Sequence, residues 1–322
     1  WYDLPENYGE HGLPRIHHAD WNDALNIPDE KAESVFMGMG ICWAYGELAA
    51  LARFIRDIPF AEVLELRKTA LAKTVNETSY NGEYYVRAFS KYGVVGDRSD
   101  ENGGKIYVNP QSWAILADIV PAERLASVLG AIDGMETKEG IPLCSPPYAA
   151  YDERVGRMSG MLPGVYENGG IYNHAGCFKI MADCKLHRAE QAVGTFLKIL
   201  PDGESNPSRL TTTEPYVFTN CYLKHPSVDM QVGFSWQTGT SAWGLKCYYE
   251  GILGLRRTYE GLKIEPVLPD SWKSVSAERV YRGKRLRVHY HNEQSGTVRL
   301  IVDREPVEGD NVPAFSDSGT HI

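Results

Sequence analysis

Leu286-Arg287-Val288-His289-Tyr290-His291 is the stretch that divides the chain. Its apolar residues fall on alternate positions, the period of a strand with one covered face. After a turn read over Asn292 to Gly296, Val298, Leu300 and Val302 alternate again, which predicts a β-hairpin.

Upstream of about Glu260 the period becomes helical. Val35 to Asp57 puts Leu48, Leu51 and Ile55 on one apolar face, and Phe60 to Val75 repeats Val63, Leu64, Leu66, Leu71 and Val75 at helical spacing. Asn109-Pro110 reads as a cap followed by proline at the first helical position, opening Gln111 to Ile119; Pro121 starts another helix through Ile132. Ala175 to Leu200 and Ser235 to Leu253 are the longest later helical stretches. Tyr80 to Gly104 and Leu143 to Asn173 follow neither period, and loops of that length commonly carry function. The expected fold is mainly α over residues 1–258, with a small C-terminal antiparallel β module over 259–322.

The 322 residues, 43% hydrophobic and 23% charged, suffice for a sizeable core in one large or two modest domains. A formal net charge of -9, with no dense Lys/Arg block, sets up a field that repels nucleic acid and anionic membranes. No nucleic-acid or membrane partner is therefore expected, and a phosphate ligand would need a locally built site. Aromatics reach 11%, with 19 Tyr and 7 Trp, which leans toward carbohydrate contacts and equally suits a helix-rich core. Cys42, Cys144, Cys177, Cys184, Cys221 and Cys247 form no CxxC pair and read as reduced, buried thiols. The most apolar window, Val35 to Ala52, is broken by glycines and Glu47, so no membrane span is read. The expected compartment is the cytoplasm, and a start at Trp1 instead of Met leads us to expect further chain upstream.

Chemistry concentrates first in His17-His18-Ala19-Asp20-Trp21-Asn22-Asp23-Ala24-Leu25-Asn26. A pyranose stacks its apolar face on an aromatic plane, offers hydroxyls to amides and carboxylates, and needs its glycosidic oxygen protonated before it leaves. Trp21, Asn22 and Asp23 supply all three. An Asx-rich turn is the plain alternative. A calcium loop fails, because counting from Asp20 puts Leu25 at the sixth position and Lys31 at the twelfth, where Gly and Glu are needed. Adjacent His17 and His18 lack a third spaced ligand, so no metal is expected.

Two further constellations follow. Tyr166-Glu167-Asn168-Gly169-Gly170-Ile171-Tyr172-Asn173-His174 leads into a helix N-terminus, where backbone NH groups and a histidine suit an anion or sugar. A tight turn with Asn168 and Gly169 at positive φ and His174 as cap reads as well. Thr238-Gly239-Thr240 places two hydroxyls around a glycine near another helix start, fitting either a phosphate or a cap. Neither a Walker A sequence, a dinucleotide fingerprint nor a GxSxG elbow accompanies them.

In order, Gly12-Leu13-Pro14-Arg15 with the Asp20 to Asn26 loop, Glu167 to Gly170 with His174, and Thr238 to Thr240 resemble glycoside hydrolase family ninety-four, the cellobiose and chitobiose phosphorylases. Glu250 to Leu255, then Gly261 to Pro266 and Pro269, resemble that family's passage from its last barrel helix into its β module. The resemblance implies part of an (α/α)6 barrel and an inverting phosphorolysis of a β-linked, cellobiose-like disaccharide that gives an α-sugar 1-phosphate. Asp23 would be the general acid, Trp21 would contact sugar, and Glu167 would bind acceptor-side hydroxyls. His174 with Thr240 and Thr238 would hold the phosphate, and Tyr166 and Asn220 would make further sugar contacts. The partners implied are the disaccharide and inorganic phosphate, a co-substrate, with no cofactor; a homodimer is the assembly considered.

The chemistry is coherent with one acid. An inverting hydrolase pairs an acid with a base that activates water, whereas phosphate is already an anionic nucleophile that donors need only position. Asp23 would need its proton affinity raised, by burial against Trp21 and by charge from Asp20 or phosphate. The family's cellobiose enzymes commonly carry Lys before the matching glutamate, where this chain has Tyr166. Only 19 residues precede Asp20, whereas the family has a β-sandwich, linker helices and donor-gripping residues there, so the chain reads as the C-terminal portion of a longer enzyme. An inverting hydrolase with Asp23 as acid and Glu167 as base, and a non-catalytic sugar-binding piece, stand as the alternatives.

Overall fold

The computed structural model describes residues 4–293, 299–313 and 320–322. Helix α1 (Val35–Phe54) is capped by Ser34, whose hydroxyl accepts from the Met37 amide at 3.0 Å, and α2 (Ile58–Thr78) by Asp57, which accepts from Phe60. The two pack together through Cys42, Tyr45, Ala49 and Ala52 on one side and Ala61, Leu64, Leu71 and Val75 on the other. Leu64, Leu71 and Val75 are buried as their spacing predicts, whereas the expected face of α1 is corrected. Leu48, Leu51 and Ile55 are 44%, 38% and 64% exposed, and Val63 and Leu66 also face outward. Toward the end of α1 the contact is made by Ala49 and Ala52, which let the two backbones approach closely and leave Leu48 and Leu51 outside. By length and composition alone α1 could cross a membrane; half of its apolar window is buried in the fold.

The helices that follow are α3 (Val108–Leu116), α4 (Ala122–Met135), α5 (Asn173–Lys185), α6 (Ala189–Ile199), the single turn α7 (Ser208–Thr211) and α8 (Thr240–Lys246). The last continues as π-helix over Cys247–Ile252. Contacts run from α1 to α3 to α5 to α8, while α2, α4 and α6 each pair with the helix before them. The result is a two-layer arc of helix pairs. The expected single helix over Ala175 to Leu200 is two, because His187 takes φ 55° and Asp183 turns its carboxylate onto Arg188 at 2.8 Å. Helix α3 begins at Val108, ahead of the expected Asn109 cap. All six cysteines are buried and unpaired, with Cys177, Cys184 and Cys247 in one core cluster.

Short strands lie within the long loops. Strands β1 (Glu33–Ser34), β2 (Ala88–Ser90) and β3 (Gly93–Val95) form one antiparallel sheet; β4 (Ile106–Tyr107) pairs with β5 (Cys144–Ser145). Strands β6 (Ile171–Tyr172), β7 (Cys221–Tyr222) and β8 (Val232–Gly233) form another antiparallel sheet. These pairs anchor the loop segments that carry the polar motifs.

The C-terminal module opens with β9 (Leu255–Arg257), β10 (Gly261–Ile264), β11 (Ser274–Tyr281) and β12 (Lys284–His291). Leu286 and Tyr290 point inward as their alternation predicts. Their partner differs from expectation: β12 pairs with β11 across a two-residue turn in which Arg282 and Gly283 both take positive φ, 47° and 78°. Part of the expected second half of the hairpin, residues 294–298, lies outside the described residues. Strand β13 (Leu300–Val302) pairs instead with β14 (Glu305–Val307), β15 (Asn311–Pro313) joins β10, and β16 (Thr320–His321) runs parallel to β12. Tyr290 ties the module to the helical part by donating its hydroxyl to the Leu253 carbonyl at 2.6 Å.

Candidate active site

The segment from His17 to Asn26 has no regular structure and is held by side chains. Asp20 accepts from the Asn22 amide at 2.9 Å, an Asx turn, and its carboxylate is fully buried against Arg87 at 2.7 Å. Ser34 donates to the same carboxylate at 2.6 Å. Asn22 is fully buried between two charges: its Oδ1 accepts from Arg87 at 2.8 Å and its Nδ2 donates to Glu167 at 3.2 Å. Glu167 also accepts from the Ala24 amide at 3.2 Å. Its carboxylate therefore grips the residues on either side of Asp23, whose own side chain is exposed.

Two sequence expectations change here. Asp23 is not buried against Trp21, since that indole packs edge-on among Phe36, Tyr172, His174 and Phe178 at ring distances of 5.1 to 6.4 Å. Nor is Asp20 a free negative charge beside it, because Arg87 neutralises it. The nearby carboxylate is Glu167, whose burial, with the charge of Asp23 adding, raises its pKa to about 7 against the lowering hydrogen bonds from Ala24 and Asn22.

His174 stands in the first turn of α5, beside Trp21 and Phe178. It caps nothing: its Nε2 is buried without a hydrogen-bond partner among the described residues. Burial lowers its pKa to about 4, so the imidazole is neutral at physiological pH. Gly239 faces this ring so closely that a Cβ there would stand 2.4 Å from its Cε1. Next to it, Thr238 shares a 2.7 Å hydrogen bond with Thr240 and donates to Asn220 Oδ1 at 3.1 Å. Asn220 Nδ2 in turn donates to the Tyr172 hydroxyl at 3.0 Å, and that ring contacts Trp21. Trp21, His174, Thr238, Thr240 and Asn220 thus form one cluster, and Glu167 joins it to Asp23 through the loop.

The turn before α5 differs in detail from its reading. Positive φ falls on Tyr166 (49°) and Gly169 (76°), not on Asn168. Asn168 is buried and fastens the loop by donating to the Tyr148 and Met161 carbonyls. Tyr166 points its ring at Phe234, 5.4 Å away. A cavity of about 1030 Å³ flanks the Asp20–Asn22 loop, lined by Arg15, His17, Asp29, Lys31 and Lys91 among others, and contains none of Asp23, Glu167, His174 or Thr240. Among its lining residues His11 and Glu33 pair at 2.6 Å.

Residues 2–254 match the glycosyl hydrolase 94 superfamily catalytic domain. The chain belongs to that superfamily. Residues 255–308 match the glycosyl hydrolase family 65 C-terminal domain, beginning where β9 begins. Among relatives, the chain is 38% identical to a solabiose phosphorylase of Paenibacillus borealis over 97% of this chain and 42% of the relative. It is 34% identical to a 3-O-beta-D-glucopyranosyl-beta-D-glucuronide phosphorylase of the same organism, over 92% of this chain and 40% of the relative. The chain therefore spans about two fifths of the length of these relatives. In structure it resembles a sialidase chain with a TM-score of 0.65 at 12% identity, over 99% of this chain and 30% of the other, a likeness of fold alone.

For this glycosyl hydrolase 94 chain, motif reading missed Arg87, Trp113 and Trp243, and gave Tyr172 no role within its motif. Arg87 sits alone ahead of a short strand with no spacing relation to Asp20. Trp113 and Trp243 close the aromatic floor against Phe178, at 5.4 and 4.8 Å, and a helical period gives them the same signature as core residues. The Trp113 Nε1 is, like His174 Nε2, buried without a partner among the described residues.

Proposed function

We propose that this chain carries the acid and the phosphate site of an inverting disaccharide phosphorylase, its helical arc forming part of an (α/α)6 barrel. The observation that supports it most is a neutral His174 with coupled Thr238 and Thr240 around Trp21, on the same loop as the exposed carboxyl of Asp23. Such a set protonates a leaving oxygen and positions an anion.

In this reading Asp23 gives its proton to the glycosidic oxygen as the bond to the anomeric carbon breaks. A phosphate oxygen, held by His174 N–H and the threonine hydroxyls, attacks that carbon from the opposite face. A β-linked donor becomes an α-sugar 1-phosphate and the other sugar leaves with a free hydroxyl. The proton lost by hydrogen phosphate restores Asp23, so the cycle balances. Glu167, ionised, accepts hydroxyl hydrogens of the acceptor sugar. Burial in the neutral state suits His174 to this task, because an uncharged N–H can bind a dianion without first taking up a proton.

The pKa of Glu167, about 7, also favours a second reading in which it is the base of an inverting hydrolase. Against it stands the way Glu167 bonds to both Asn22 and Ala24, the neighbours of Asp23. The two carboxyls then approach from one side, whereas an inverting hydrolase needs its base across the sugar ring with room for water. The experiment is to incubate the full-length enzyme with β-linked disaccharides, with and without inorganic phosphate, and follow products by phosphorus NMR. Phosphate-dependent α-sugar 1-phosphate supports phosphorolysis; equal sugar release without phosphate supports hydrolysis.

A further inference from the structure

We propose that Arg87 is a positioning residue for this site, clamping the Asp23 loop and setting the Asn22 amide so that its NH2 faces Glu167. The inference rests on the roles given above to Asp23 and Glu167. Arg87 and Asp20 are a fully buried ion pair, and such a pair is weak evidence for stability as such, since well-packed apolar residues often do as well. What the guanidinium does here is geometric.

It stands just before β2, backbone-bonded to Val95 and to Val35, so its root is anchored to the β1–β2–β3 sheet and to the start of α1. Its head reaches Asp20 at 2.7 Å, Asn22 Oδ1 at 2.8 Å and the Ser34 hydroxyl at 3.3 Å, and its cation lies 5.5 Å over Phe36. Ser34 is at once the cap of α1 and a donor to Asp20. One side chain therefore joins sheet, helix cap and catalytic loop.

The decisive contact is with Asn22. A side-chain amide can turn either end toward a neighbour. Arg87 can only donate, so it takes the Oδ1 end and leaves Nδ2 for Glu167. Without that constraint the amide could present its oxygen to the Glu167 carboxylate, repelling the charged form. The chain Arg87 to Asn22 to Glu167 thus holds the carboxylate beside Asp23 in place and favours its charged form. Lysine would keep a charge near Asp20 but offers one ammonium nitrogen in place of the rigid guanidinium, whose Nη2 serves Asp20 and Asn22 while its Nη1 reaches Ser34.

The test uses Arg87→Lys and Asn22→Ala in the full-length enzyme, with circular dichroism and melting temperature recorded beside kinetics. Both are expected to raise KM for the disaccharide by about tenfold, the scale of one lost charge-assisted hydrogen bond, with KM for phosphate little changed. Both should also move the acidic limb of the kcat/KM profile to higher pH. Folded variants whose disaccharide KM and pH profile match the parent would overturn the proposal, even with a lowered melting temperature. Should Arg87→Lys not fold, Asn22→Ala decides alone, since it leaves the Arg87–Asp20 pair in place. Full phosphorolysis by Asp23→Asn would defeat the underlying reading; its loss, with unchanged Arg87→Lys and Asn22→Ala, would defeat only the clamp.

Discussion

Asn22 and Glu167, 145 positions apart, meet in a buried hydrogen bond of 3.2 Å that fastens the Asp20–Asn26 loop to the turn before α5. Asp23 projects from between two residues that Glu167 holds. The position of the exposed carboxyl is thereby set by a buried one.

Glu167→Gln tests the cost of that buried carboxylate. Its folded pKa of about 7 lies above the ordinary 4.5, so the folded state binds the extra proton between those values and the parent loses stability as pH rises through them. Above pH 7 the charge costs about 3 to 4 kcal/mol at roughly 1.4 kcal/mol per pKa unit. Glutamine keeps an acceptor for Asn22 and Ala24, so Glu167→Gln should melt several degrees higher than the parent at pH 8 and show no gain at pH 4.5. Equal melting shifts at both pH values would contradict this.

His174→Phe retains the ring against Trp21 and Phe178 and removes the donor. KM for phosphate should rise by about 10- to 100-fold, as expected for a hydrogen bond to a charged group, with the melting temperature nearly unchanged. Because burial holds the imidazole near pKa 4, parent and variant should share the shape of their phosphate kcat/KM profiles above pH 5.5. A limb near pH 6.5 in the parent that the variant lacks would show that a charged histidine does the binding.

Gly239→Ala probes the same site from the other side. A Cβ at Gly239 would stand 2.4 Å from His174 Cε1 and 2.8 Å from Nε2, while the backbone itself, at φ -69°, accepts alanine. The methyl must push the imidazole aside, so steady-state kinetics should register a higher phosphate KM with the disaccharide KM little altered. An unchanged phosphate KM would remove Gly239 and its contact with His174 from the account.

Much of this was legible in the sequence, for identifiable reasons. Pro121 marks a helix start by its fixed φ, and the alternation of Leu286, Val288 and Tyr290 marks an inward strand face. The contacts of the polar motifs were not legible, because they depend on residues distant in sequence. Nothing local tells Arg87 that its partner is Asp20, or Glu167 that it will bracket Asp23. The face of α1 was misread for a related reason: periodicity picked out Leu48, Leu51 and Ile55, whereas Ala49 and Ala52 are the buried residues there; on α2 the same period found Leu64, Leu71 and Val75 correctly and erred only at Val63 and Leu66. The hairpin partner of β12 was missed because Arg282-Gly283 makes its turn without the usual Asn-Gly or Asp-Gly pair.

The account turns on Asp23 as the proton donor of a phosphate-dependent cleavage. The most direct measurement is the rate at which full-length Asp23→Asn forms α-sugar 1-phosphate from phosphate and a β-linked disaccharide that the parent cleaves. Removing a general acid should lower that rate by about 10²- to 10⁴-fold while the melting temperature stays near the parent's, since the exposed side chain supports no packing. A folded variant that still forms the sugar phosphate within a few fold of the parent would contradict the central claim.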